Sequence, residues 1–188
     1  MARRFIVVAR PRSRTSWLAT FLNAAGAVCQ HDIVDICAGP GAYREALNVA
    51  DISGAVDTGA VFFLPDILVE IPGCHVAVID RPRAECEEDM AKLGININME
   101  AYDIPMERAK NLPEVLVVNY ADLDAETTVR KLWCYLIGGQ FPRLWYEHCR
   151  WMHIVPSKGF FNTEFIRRSR NPDAFRGWPI EHLIAAGG

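Results

Sequence analysis

The chain has 188 residues, 51% of them hydrophobic and 23% charged, the composition of an ordinary globular domain rather than a disordered or collagen-like chain. At this length a chain buries roughly 70% of the surface it exposes when unfolded, so a core needs neither disulfides nor a structural metal. Its 20 Lys and Arg against 23 Asp and Glu leave a formal charge of −3, which argues against a generally basic nucleic-acid binder.

Residues 1 to 14 hold five arginines, Arg3, Arg4, Arg10, Arg12 and Arg14, and no acid, so anions are expected to favour this end. The apolar run Phe5 to Ala9 is stopped by Arg10 and Pro11. It is too short for a signal-peptide core or a membrane span, and the expected location is cytoplasmic, with no membrane partner. A continuous apolar run with β-branched residues reads as a central parallel strand buried on both faces. Thr15 or Ser16 is placed to cap a helix carrying Trp17, Leu18, Phe21, Leu22 and Ala25 at helical spacing, with Gly26 as its stop. Ala27 to His31 is a second short strand and Pro40 to Val49 a helix, followed by a loop over Asp51 to Gly59.

Strand then helix recurs at His75 to Ile79 and Arg83 to Leu93, within an acidic stretch in which Asp80 to Glu107 holds eight acids. Val115 to Val118 is the next strand. After it Val129, Leu132, Trp133, Leu136 and Ile137 fall on one helix face, and Gly138 and Gly139 end it. Pro142 opens a last stripe of Leu144, Trp145, His148, Trp151 and Met152, read as core packing. The whole of 1–188 is taken as one domain, with 145–188 its basic, aromatic extension. The six cysteines form no CxxC pair and read as reduced thiols. His148, Cys149 and His153 lack a fourth ligand, so no metal is expected. Strands alternating with helices specify an α/β, P-loop-type three-layer fold, a parallel sheet flanked by helices, with ligands at the carboxyl ends of the strands.

The turn after the first strand concentrates donors. Arg12 and Arg14 offer forked guanidinium groups and Ser13, Thr15 and Ser16 offer hydroxyls, at the start of a helix whose dipole already favours an anion. A nucleotide-dependent kinase fits less well, because Ala9, Arg14 and Thr15 stand where its loop has two glycines and the lysine. A non-catalytic nucleotide- or anion-binding protein is the alternative to an enzyme.

The segment PRSRTSWL resembles the 5′-phosphosulfate loop of the sulfotransferases that use 3′-phosphoadenylyl sulfate (PAPS). That loop runs proline, Lys or Arg, Ser or Thr, Gly, Thr, Ser or Thr, any residue, Leu; here Arg14 stands at the glycine. VIDRPRAE is similar to the family's second strand-to-helix segment, and VLVVNYADLDAETTVRKLWCYLIG to its late strand and helix, so the resemblance spans Phe5 to Gly139. Short sulfotransferase-like proteins of phages and bacteria carry a similar arginine variant. The resemblance implies PAPS as co-substrate without a metal, and a small-molecule or carbohydrate-like hydroxyl acceptor. Arg12 would face the bridging and sulfuryl oxygens, while Ser13, Arg14, Thr15 and Ser16 would surround the 5′-phosphate. Arg81 would bind the 3′-phosphate, with Asp89, which stands at the family's serine, turned away. Lys158, in a segment similar to the late basic loop, would join it, with Arg167, Arg168, Arg170 and Arg176 as further tail cations. Asp32, assisted or replaced by His31, is the candidate general base, on the expectation that the end of the second strand lies beside the loop after the first. The turn Asp57-Thr58-Gly59 is a lesser candidate for acceptor contact.

Overall fold

A computed structural model describes residues 2–150. The calls on Trp151, Met152, His153, Lys158 and the tail arginines lie outside the described residues. In chain order the elements are β1 (Arg3–Ala9), α1 (Thr15–Leu22), β2 (Ala27–His31), α2 (Pro40–Ala46), β3 (Ile52–Asp57), α3 (Leu64–Glu70), β4 (His75–Asp80), α4 (Arg83–Lys92), α5 (Asp103–Lys110), β5 (Leu116–Asn119), α6 (Glu126–Leu136) and α7 (Arg143–Cys149). The five strands form one sheet in the order β2-β3-β1-β4-β5, and every pairing is parallel. The expected α/β architecture is therefore the observed one.

β1 is the centre of the sheet, and Phe5, Ile6, Val7, Val8 and Ala9 are all fully buried. Alternation along the strand sends them to two cores. Phe5, Val7 and Ala9 meet α1, α6 and α7, whereas Ile6 and Val8 meet the layer of α2 to α5. Each such side chain contributes about 1.5–3 kcal/mol by leaving water, which is why the loop at the end of β1 has a rigid base. Phe21 centres the first core: its ring stacks on Trp17 at 5.7 Å and meets Trp133 and Tyr146 edge-on at 5.6 and 5.9 Å. Two indole N–H groups fasten α7 to α1, Trp17 Nε1 donating to the Cys149 carbonyl at 2.8 Å and Trp145 Nε1 to that of Phe21 at 3.0 Å. Tyr146 and Cys149 carry the buried face of α7, while Leu144 is 89% exposed, so the stripe read from the sequence is displaced.

Two expectations fail in the sheet. The presumed loop over Asp51 to Gly59 is mostly β3, inserted between β1 and β2. Ser53, Gly54 and the flanking aspartates look like turn residues, yet Gly54 lies opposite Phe5, and a Cβ there would collide with the Phe5 carbonyl and ring. Gly54→Ala is expected to lower stability by about 1–3 kcal/mol through this overpacking, read as a shifted denaturant midpoint with an unchanged slope. As a second consequence, the ends of β1 and β2 are not neighbours. α1 nevertheless packs against β2 and brings the end of that strand back toward the loop.

Candidate functional site

The β1–α1 turn is held open by left-handed backbone at Arg12 (φ 69°) and Arg14 (φ 59°). Arg14 is the N-cap of α1, and no side chain caps the helix; the expected hydroxyl cap from Thr15 or Ser16 is absent. The first-turn N–H groups of α1 thus face the turn with the positive end of the dipole. Arg14 tolerates the conformation usually given to glycine because its side chain is anchored away from it. The guanidinium is 2.6 Å from Asp124 and lies 4.5 Å above the Trp17 ring. What Arg14 offers a ligand is backbone, since its charge is already matched by Asp124.

The other arginines divide in the same way. Arg10 is buried, donates to the Arg81 carbonyl at 3.2 Å and pairs with Asp103 at 2.8 Å, a structural tie between the turn and α5. Arg81, also buried, donates through Nη1 to the Arg12 carbonyl, through Nε to Glu85 at 3.2 Å and through Nη2 to Asp89 at 2.8 Å. Its plane covers the Tyr120 ring at 4.2 Å. Asp89 therefore faces Arg81 and does not turn away. Burial pushes the Asp89 carboxyl up, but Arg81 and Lys92 hold it below the ordinary carboxylate value. Arg12 differs from all three in that no carboxylate pairs with it among the described residues; its Nε, like that of Arg10, is buried with no hydrogen bond among them. Ser13 Oγ is likewise buried, with the Cys86 thiol as its hydrogen-bonding neighbour.

His31 ends β2 with Nε2 at 3.0 Å from Thr15 Oγ1, 3.4 Å from Ser16 Oγ and 3.4 Å from Asp32 Oδ2. The imidazole, not the Asp32 carboxylate, is thus the group in contact with the start of α1. Asp32 sits behind it in left-handed conformation (φ 48°), Oδ1 accepting from Thr58 N at 2.8 Å and Thr58 Oγ1 at 3.1 Å. Burial lowers the His31 pKa from its ordinary 6.5, with Asp35 pulling the other way, so the ring is neutral at pH 7. Burial raises the Asp32 carboxyl, the Thr58 N–H opposing and Asp35 reinforcing.

Asp57 is fully buried and makes no acceptor-facing surface, in contrast to the expectation for that turn. Its Oδ2 accepts from Val34 N at 2.8 Å and its Oδ1 from Gly59 N at 3.0 Å and Ala60 N at 2.9 Å. This carboxylate staples the segment after β2 to the segment after β3, and so fixes the backbone that carries His31 and Asp32. Asp124 and Glu85 are supporting residues that sequence reasoning did not assign, and Asp57 and Thr58, read there as a candidate acceptor contact, hold the backbone behind His31 and Asp32. Glu85 and Asp89 had a readable signal, lying four and eight residues after Arg81 on one helical face.

No protein-family model and no curated protein matches the sequence. Among solved structures, mouse sulfotransferase SULT7A1 complexed with PAP is similar with a TM-score of 0.55 and 14% identity, over 80% of this chain and 64% of that one. The chain therefore spans less than two thirds of that relative's length. At this identity the likeness is one of fold, and it joins the parallel sheet and the β1–α1 turn described above: the chain has a sulfotransferase-like α/β fold.

Proposed function

We propose that the chain transfers a sulfuryl group from an adenosine phosphosulfate, with PAPS the first donor to test, to a hydroxyl of a small-molecule or carbohydrate-like acceptor. The observation that carries this reading is a histidine in contact with the start of α1, whose N-terminus has no side-chain cap, following a turn whose Arg12 has no ion pair among the described residues. The turn suits a phosphosulfate, since Arg12 Nε is a buried donor with no partner among the described residues and the N-terminus of α1 carries no side-chain cap.

In the reaction the acceptor oxygen bonds to sulfur, the bond from sulfur to the bridging oxygen breaks, and charge develops on the departing phosphate. Arg12 and the α1 amides meet that charge, with no reorganisation needed because the turn is already clamped. His31 Nε2 takes the acceptor proton, and Asp32 Oδ2, 3.4 Å away, lies beside the imidazolium that forms. Thr15 and Ser16 hold the imidazole toward the turn.

The proposal is tested first by ligand-dependent melting. PAPS, adenosine 3′,5′-bisphosphate and inorganic sulfate should each raise the melting temperature, less so at high salt; no shift with any of them sinks the reading. His31→Gln should then keep donor binding and lose roughly 100-fold or more in transfer. In the unaltered protein kcat/KM should fall in acid with a midpoint below that of a free imidazole, because burial lowers the His31 pKa and protonation removes the base. The second reading, a nucleotide-binding protein without catalysis, is favoured by the pairing of Arg81 with Asp89 and predicts melting shifts with no transfer to any acceptor.

A further inference from the structure

The cations around the turn are unequally available. Arg10 is matched by Asp103, Arg14 by Asp124 and Arg81 by Glu85 and Asp89, which leaves Arg12 as the one of these four without an ion pair among the described residues. Arg81 is the decisive case. It touches the turn directly through the Arg12 carbonyl, so it borders the anion site proposed above. Yet Nε, Nη1 and Nη2 each already donate a hydrogen bond, and the guanidinium face lies on Tyr120. A second anionic group brought to Arg81 would have to displace Asp89 and then remain beside the carboxylates of Glu85 and Asp89.

We infer that Asp89 is a specificity-determining residue that makes this a one-anion site, favouring a nucleotide with a single phosphate or phosphosulfate group over one carrying a second phosphate at the ribose. The inference rests on the reading above that the β1–α1 turn holds the donor's 5′ group. The chemistry is exclusion by like charge: Asp89 neutralises Arg81 in the free protein and repels a phosphate in the bound one. Arg81 and Lys92 keep Asp89 ionised despite its partial burial, so the repulsion persists through neutral pH.

Calorimetric titration of the full chain with adenosine 5′-phosphate and adenosine 3′,5′-bisphosphate tests it without any need for turnover. The unaltered protein should bind the two within about threefold of each other, or the monophosphate more tightly. In Asp89→Ser the bisphosphate should tighten by about tenfold or more while the monophosphate changes less than about twofold, since Arg81 Nη2 is freed for a charge-assisted hydrogen bond to the second phosphate and one repelling carboxylate is gone. Asp89→Asn, which keeps the hydrogen bond to Arg81 without the charge, should fall between them and guards against a folding defect in the serine variant. Bisphosphate binding at least tenfold tighter than monophosphate in the unaltered protein, or a ratio unmoved in both variants, overturns the inference and leaves the anion site intact. Failure of both nucleotides to bind removes the anion-site reading and this inference together.

Discussion

Arg12→Ala is expected to weaken donor binding about 10- to 100-fold and transfer about 100- to 1000-fold, while the melting temperature stays level or rises. The first half follows from charge-assisted hydrogen bonds, worth about 1.5–3 kcal/mol in binding, and from stabilisation of the charge that develops on the departing phosphate. The second half follows from strain. Arg12 holds a left-handed backbone at φ 69° and a buried Nε with no partner, both of which cost stability in the free protein. Arg12→Gly sharpens the test, because it relieves the backbone as well and should melt higher than Arg12→Ala while binding as poorly. Calorimetry and thermal melting on the same samples check both halves. Unchanged affinity in both variants would remove Arg12 from the site.

The largest stability effect is expected at Asp57, where Asp57→Ala should lower the unfolding free energy by about 3 kcal/mol or more. The substitution strips partners from the buried N–H groups of Val34, Gly59 and Ala60, each costing about 1–3 kcal/mol when left unsatisfied. Asp57→Asn does not rescue fully, because its amide must point NH2 at one set of these donors. Denaturant unfolding measures the loss, and a change under about 1 kcal/mol would contradict the staple. The pH dependence has a definite sign. Burial and the neighbouring Asp32 raise the Asp57 carboxyl above its ordinary 3.8, so the unfolded chain releases this proton first. The contribution to stability is complete below 3.8 and is lost as pH rises through the folded value. Asp57→Ala should therefore flatten the decline in stability on the alkaline side.

What could be read from the residues was whatever depends on local pattern. The uninterrupted run Phe5 to Ala9 and the 3.6-residue stripe of Val129, Leu132, Trp133 and Leu136 correspond to β1 and α6. β3 escaped because Gly54 is required by the ring of Phe5, a residue far away in sequence, and pattern reading sees only a turn-like cluster. The site divides along the same line. Donor-rich residues 12 to 16 are visible as a string, but which arginine is free depends on Asp103, Asp124 and Asp89, which reach the turn only through the fold. His31 was legible as a candidate and its priority over Asp32 was not, since that is a matter of which side chain reaches across to α1.

The double anchoring of the turn, by Asp124 through Arg14 and by Arg81 through the Arg12 carbonyl, bears on the kinetics of capture. A glycine-rich turn loses conformational freedom when its ligand arrives, and that ordering opposes binding. Here two arginine side chains impose the order during folding, long before any encounter. Association then requires diffusion and desolvation of the ligand, with no slow rearrangement of the turn after contact, and residence time is left to the strength of the contacts from Arg12 and the α1 amides.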